Sequence, residues 1–382
     1  DMALALVGSV GETSGLALAE EILARFAKLD DTEKLAFFKN IAHRMNIDPG
    51  LVRRTLDAYE RAPSRASYSA FSAAAEPARQ ELMRRLNRVP GATGALVKMR
   101  ADLLRLGLDH QELQALDMDF RHLFASWFNL GFLVLRPISW ESPAHILEKI
   151  IAYEAVHAID SWEDLRSRLE PTDRRCFAFF HPAIPDEPLI FVEVALTQGI
   201  PSSVQGVLAI DRVAIAPTAA DTAVFYSISN CQAGLASISF GNSLIKQVAT
   251  DLAAELPGLK TFVTLSPIPG LCKWLQSEGQ DHAVINTPEA IRAAAANYLL
   301  NAKNSAGLPL DPVARFHLGN GAIVHAVHAA ANMSAKGLAQ SHGAMVNYLY
   351  DLKRAAQNHE KFATARTVAA SSEVRALAKA AQ

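Results

Sequence analysis

The chain has 382 residues, of which 50% are hydrophobic and 20% charged, enough for two domains with a sizeable buried core and the composition of an ordinary soluble globular protein. Lys and Arg number 37 against 39 Asp and Glu, so there is no electrostatic case for nucleic acid, and an anion site has to be local. No apolar run approaches the roughly 18 residues of a membrane span.

Residues 15 to about 125 carry helical signals. Asp30-Asp31-Thr32-Glu33 sets an acceptor three residues before a Glu, an N-cap pattern for a helix from Lys34. Asp48-Pro49 does the same for a helix through Leu51, Leu56 and Tyr59, with proline at its first position. Further helices fit 76–88, where Leu82, Met83 and Leu86 recur at helical spacing, 93–106 and 110–127. The short gaps predict an antiparallel bundle over 1–125, a scaffold or an oligomerisation surface.

From about 130 the texture changes to short runs rich in Val, Ile and Phe: 131–135, 176–180, 189–196, 206–210, 223–228, 260–265 and 321–326. Gly199 to Ser203 reads as a turn between antiparallel neighbours at 189–196 and 206–210. The strand at 223–228, a helix at 242–256 and the strand at 260–265 form one βαβ unit. Leu244, Ile245, Val248, Ala249, Leu252, Ala253 and Leu256 make the apolar stripe of that helix. Residues 126–382 therefore read as an α+β domain with helices packed on a mostly antiparallel sheet, closed by an Ala-rich helix at 364–381.

Between that strand and helix lies a loop of small residues, Asn230 to Asn242. Backbone N–H groups at a helix N-terminus suit an anionic phosphate, and an ordinary connection is the alternative. There is no Walker A motif and no GxGxxG, so ATP and NAD are disfavoured. Thr264-Leu-Ser-Pro-Ile-Pro-Gly270 then holds Ser266 at a strand end stopped by two prolines, and 51 residues later His317 stands in Phe-His-Leu-Gly-Asn-Gly-Ala. A Ser/His pair suggests a nucleophile and base, but Ser266 lies outside any G-x-S-x-G elbow and no acid is placed as a third member. A turn-forming hydroxyl and a packed core histidine are the plain alternatives. His325 and His328, three apart, fit packing better than metal binding, and Cys176, Cys231 and Cys272 are too scattered for a disulfide framework or a zinc cage. No signal peptide or peroxisomal ending is seen, so a cytoplasmic setting is expected.

These segments resemble malonyl-CoA decarboxylases. The likeness covers the Ser266 and His317 blocks, Phe225-Tyr226-Ser227-Ile228-Ser229, Ser126-Trp127-Phe128, Gly131-Phe132-Leu133, Glu154-Ala155-Val156-His157, Asn332 to Gly337 and Gly343 to Tyr350. It runs from about residue 120 to 352. The resemblance implies a helical domain fused to a GNAT (N-acetyltransferase-like) domain, in which a loop between a central strand and the next helix cradles the pyrophosphate of coenzyme A. Ala236, Ser237, Ile238, Ser239, Phe240, Gly241, Asn242 and Ile245 would then line the CoA site. Ser237 and Ser239 depart from the glycine and acidic residue expected there.

The same resemblance makes Ser266 and His317 the catalytic residues of a carboxy-lyase that turns malonyl-CoA into acetyl-CoA and CO2. Departure of CO2 leaves a thioester enolate, which needs oxyanion stabilisation and a proton at C2. Ser266 would position the carboxylate, and His317, with an ordinary pKa of about 6.5, would be the general acid. No metal, biotin, pyridoxal phosphate or other cofactor is implied, because the substrate carries its own electron sink. The expected partner is malonyl-CoA, with no nucleic acid or membrane, and a homo-oligomer is favoured. The alternatives are an acyl-CoA-dependent acyltransferase and a non-catalytic CoA-binding assembly protein.

Overall fold

A computed structural model describes residues 1–107, 109–238, 244–279 and 287–381. It divides into two compact units, one formed by Asp1–Val134 with short segments beginning at His181 and Gln232, the other by the remainder.

The first unit is helical: α1 (Met2–Gly8), α2 (Glu12–Phe26), α3 (Asp31–Arg44), α4 (Pro49–Arg61), α5 (Arg65–Ala75), α6 (Ala78–Leu86), α7 (Ala92–Leu106) and α8 (Gln114–Trp127). The N-cap patterns act as expected. Asp30 and Glu33 close a reciprocal capping box on α3, and the Asp48 side chain accepts from Gly50 N with Pro49 opening α4. Leu82, Met83 and Leu86 are all buried, as are Phe120, Leu123 and Phe124 of α8. A buried Arg79–Asp119 pair ties α6 to α8 at 2.5 Å.

The second unit is built on β1 (Val134–Ile138), β2 (Arg174–Phe180), β3 (Ile190–Thr197), β4 (Thr222–Asn230), β5 (Thr261–Thr264), β6 (Ser266–Pro267), β7 (Ile323–His328) and β8 (Met345–Leu349). The strand order is β1-β2-β3-β4-β5-β8-β6, with β7 pairing to β8. The β2–β3, β3–β4, β5–β8, β6–β8 and β7–β8 pairings are antiparallel, while β4 and β5 run parallel. The crossover between them is α12 (Leu244–Glu255), which buries Leu244, Ile245, Val248, Ala249 and Leu252, the stripe read from the sequence. Two apolar clusters pack on the sheet. One includes Ile146, Leu147 and Ile150 of α9 (Ala144–Tyr153), Leu165 and Leu169 of α10 (Trp162–Leu169), and Phe180 and Phe191. The other gathers Val224, Tyr226, Val263, Leu265 and Met345.

The chain is thus α+β, a helical N-terminal region followed by a mixed-sheet domain. Two local expectations are corrected. Residues 206–210 are not a strand: α11 (Val204–Leu208) occupies this stretch, with Val204 and Val207 buried one helical step apart, and the antiparallel partners of β3 are β2 and β4. The single helix over 364–381 is two helices that flank a break, Ala355–Ala365 and Ser372–Ala380. Arg366 turns left-handed (φ 53°), and Ala370 bridges to Val324. Among the described residues no helix is long and apolar enough to cross a membrane.

Candidate active site

The β4–β5 ladder ends at Phe225 and Thr264, yet β4 runs on to Asn230 while the neighbouring chain turns away. Leu265 N still donates to Phe225 O; Ser266 and Pro267 then pair with Val346 and Met345 of β8. Pro267 has no N–H to extend a ladder, and Pro269 follows it. A serine is therefore held where two parallel strands part, just past the C-terminal end of β5, close to a common place for ligands in such sheets.

His317 comes from a helix at residues 312–319. Asp311 caps it by accepting from Ala314 N at 2.8 Å, and Pro312 stands at its first position. Val313, Phe316 and His317, three and four residues apart, share one face. With Val156, Phe225, Tyr226, Ile228, Asn230, Ser266, Pro267 and Pro312 they line a cavity of about 270 Å³.

The sequence's two candidates meet on this cavity. Ser266 Oγ lies 3.2 Å from His317 Nε2 and donates to Thr264 Oγ1 at 2.8 Å. His317 Nδ1 is 2.8 Å from the Tyr350 hydroxyl, and its ring stacks on Tyr348 at 4.5 Å between centroids. Ser266 and His317 are 5% and 2% exposed, so the pair meets substrate from the cavity and not from bulk solvent. Burial drives the His317 pKa down to about 3, which keeps the imidazole neutral at rest, and pushes the Tyr350 phenol well up. The arrangement can offer hydrogen bonds and move one proton inside a small, largely apolar space.

Around the pair stands a frame of buried polar groups. Thr264 Oγ1 also accepts from Tyr348 N at 3.1 Å, and Asn347 Nδ2 donates to Thr264 O at 2.8 Å. Glu154 fastens the loop that brings Val156 to the cavity. Its carboxylate accepts from Val156 N and His157 N at 2.7 and 2.8 Å and from the Ser227 hydroxyl at 2.7 and 2.8 Å. Lys336 donates to the carbonyl of Ala155 in the same loop. The Glu154–His157 and Asn332–Gly337 segments, separate in sequence, thus meet at one point. His328 is hydrogen-bonded to Asn347, and among the described residues no group of three or more His, Cys, Asp or Glu could hold a metal ion. The three cysteines are buried.

The phosphate-loop candidates are described in part. Ser239, Phe240, Gly241 and Asn242 lie outside the described residues. Ala236, Ser237 and Ile238 belong to the first unit, where buried Arg100 donates to the carbonyls of Gly234 and Ala236 at 2.7 and 2.9 Å and pairs with Asp117. A Cβ on Gly234 would sit 1.8 Å from the Val97 carbonyl oxygen, so glycine is required for this close approach. Ser237 is left-handed (φ 64°), and Ile245 is wholly buried on α12.

Sequence reasoning had not singled out Thr264 or Tyr350. Thr264 could have been found by strand alternation, since residues two apart share a face. Tyr350 reaches His317 only through the pairing of β8, which leaves no local signature.

Comparison with known proteins places the chain in a family. The family model of the malonyl-CoA decarboxylase C-terminal domain matches residues 131–289 and 278–382, and that of the N-terminal domain matches 46–128. The chain is similar to the crystal structure of malonyl-CoA decarboxylase from Rhodopseudomonas palustris (47% identity, 98% of each chain, TM-score 0.93). It is also similar to that from Agrobacterium vitis (48%, 98% of each chain, TM-score 0.92). Mitochondrial malonyl-CoA decarboxylase of Anser anser anser is 34% identical over 78% of this chain and 69% of its own length. With both halves matched and the fold shared nearly end to end, the chain belongs to the malonyl-CoA decarboxylase family of carboxy-lyases.

Proposed function

We propose that the chain decarboxylates malonyl-CoA to acetyl-CoA and CO2 at the Ser266–His317 pair. The observation that carries this reading is the 3.2 Å approach of Ser266 Oγ to His317 Nε2 on the wall of a cavity of about 270 Å³. Ser266 hydrogen-bonds the malonyl carboxylate and holds the breaking C–C bond in line with the thioester π system. That bond's electron pair passes into the carbonyl as CO2 leaves. His317 then delivers its proton to C2. The Tyr350 hydroxyl, 2.8 Å from Nδ1, passes its proton to that nitrogen, so the imidazole does not end as an anion; a proton arriving at Nε2 from the emptied cavity then sends the Nδ1 proton back to the phenol and restores the resting tautomer.

The wall itself favours the reaction. None of the described residues lining the cavity is a Lys or Arg, so the carboxylate has no counter-charge there, while the enolate that follows spreads its charge over several atoms. In this scheme Ser266 never becomes a nucleophile.

The CoA pyrophosphate is assigned to the segment from Ala236 to Asn242 and to Ile245. A bulky acid at Gly241 should repel the phosphates and raise KM while leaving kcat nearly unchanged. The helical region is assigned an assembly role, in keeping with α4, which buries none of its residues and leaves Leu51 and Leu56 exposed. Sedimentation of the full chain tests for a homo-oligomer.

Incubation with malonyl-CoA alone tests the activity. Stoichiometric acetyl-CoA and CO2 without any acceptor is the expected result. Turnover that requires an amine acceptor would move the reading to acyl transfer, and binding without turnover would move it to a CoA-binding assembly protein.

A further inference from the structure

We infer that Thr264 is a positioning residue that sets the tautomer of His317, and through it the direction in which the catalytic pair can give a proton. The inference rests on the reading of Ser266 and His317 as the reacting pair.

Four side chains form one hydrogen-bonded line: Thr264, Ser266, His317 and Tyr350, with separations of 2.8, 3.2 and 2.8 Å. Such a line can run in two directions, because each hydroxyl can donate one hydrogen bond and accept others, and a neutral imidazole carries its proton on one nitrogen or the other. In the first direction Tyr350 donates to Nδ1, Nε2–H donates to Ser266, and Ser266 donates to Thr264. In the second every bond is reversed, and Nε2 presents a lone pair to the serine.

The Ser266–Thr264 bond selects the first. Ser266 Oγ donates to Thr264 Oγ1. The threonine oxygen also accepts from Tyr348 N at 3.1 Å, and its backbone is pinned by Asn347 Nδ2 at 2.8 Å. Thr264 is fully buried, so no solvent competes for its oxygen. With the serine proton drawn to Thr264, Ser266 has lone pairs to receive Nε2–H, and His317 faces the reacting atoms as a donor. A neutral imidazole N–H of this kind can stabilise an enolate oxygen or supply a proton. When the substrate carboxylate arrives, rotation of the Ser266 hydroxyl suffices, and His317 keeps its proton on Nε2. Without Thr264 Oγ1, the other acceptor that Ser266 meets is Nε2 itself, which would drive the imidazole proton to Nδ1.

The test is nitrogen NMR of the full-length resting enzyme labelled with ¹⁵N-imidazole histidine. His317 is assigned among the 12 histidines by its loss in His317→Asn. The parent protein and Thr264→Ser should both show Nε2 protonated and Nδ1 bare. Thr264→Val, which keeps the shape and loses the oxygen, should populate the Nδ1–H tautomer and lose about tenfold or more in kcat at little cost in KM. Thr264→Ser should recover kcat to within about threefold of the parent.

An Nδ1–H tautomer in the parent enzyme overturns the inference without recourse to any variant. So does a Thr264→Val protein with parental tautomer, whatever its kcat, or a Thr264→Ser protein as impaired as the valine variant. These results leave the Ser266–His317 reading untouched; that reading falls instead if Ser266→Ala and His317→Asn retain parental kcat.

Discussion

Ser266 and His317 stand 51 residues apart in the chain and 3.2 Å apart in the fold. Nothing local joins them: one ends a strand stopped by prolines, the other rides a capped helix, and the parting of β4 from β5 leaves the space they share. Two groups that act on one substrate across one cavity should not behave independently when removed.

Ser266→Ala removes one preorganised hydrogen bond at the reacting centre and should cost about a hundredfold or more in kcat. Intact-mass analysis during turnover should find no acyl adduct on the parent enzyme. A trapped malonyl- or acetyl-serine would refute the scheme and point to covalent acyl transfer.

His317→Asn keeps a hydrogen-bonding side chain of similar reach but cannot act as a general acid, so kcat should fall by about 10²- to 10⁴-fold. The double variant with Ser266→Ala should be barely worse than the poorer single one, because the two act as a unit. Losses that multiply would show that the residues work in separate steps.

Much of this architecture could be read from the chain. The capping residues Asp30 and Asp48, the apolar stripe of α12 and the Pro- and Gly-bounded segments around Ser266 and His317 are local signals, and local signals survive folding. What escaped was tertiary. Gly206–Ile210 is apolar enough for a strand, but burial of Val204 and Val207 at helical spacing, with Val204 N bonded to Ala331 O, made it helix. Thr264 and Tyr350 acquire their roles only when β8 lies beside β5 and β6, a pairing that no spacing along the chain announces.

Tyr350→Phe deletes the hydroxyl 2.8 Å from His317 Nδ1 and keeps the ring. Orientation of the imidazole and replacement of its proton should both suffer, and kcat should drop about tenfold with KM nearly unmoved, the scale of one buried hydrogen bond. A parental kcat would remove Tyr350 from the proton path.

Gly321→Ala tests the frame behind His317. Gly321 is left-handed (φ 84°), and an added Cβ would lie 1.9 Å from the carbonyl oxygen of Ala355. Neither backbone can yield cheaply, so the substitution should destabilise the fold by about 2 kcal/mol or more. Ala322 N bonds back to His317 O at 3.1 Å, so the same strain should reach the histidine. A lowered Tm accompanied by a lowered kcat is expected; an unchanged Tm would mean that the turn can reshape.

Glu193→Gln should reveal a pH-dependent term in stability. Glu193 is fully buried on β3 beside Cys176 and Ser227, with Oε2 3.4 Å from Arg168 Nη1. Its Oε1 has no hydrogen-bond partner among the described residues. Burial raises its pKa to about 8, the Glu154 charge adds to the rise, and Arg168 opposes it. The unfolded chain releases this proton near the ordinary value of 4.5, so between there and about 8 the folded state binds more protons. The stabilisation is complete below 4.5 and fades as pH climbs through 8, by at most about 1.4 kcal/mol per pH unit. His157, pushed down to about 4 by burial, works in the opposite sense, but it titrates in both proteins and cancels in the comparison. Urea unfolding at pH 5 and pH 8.5 should therefore show the glutamine variant gaining on the parent as pH rises. Parallel pH profiles would mean that Glu193 is already ionised at pH 5, held so by Arg168.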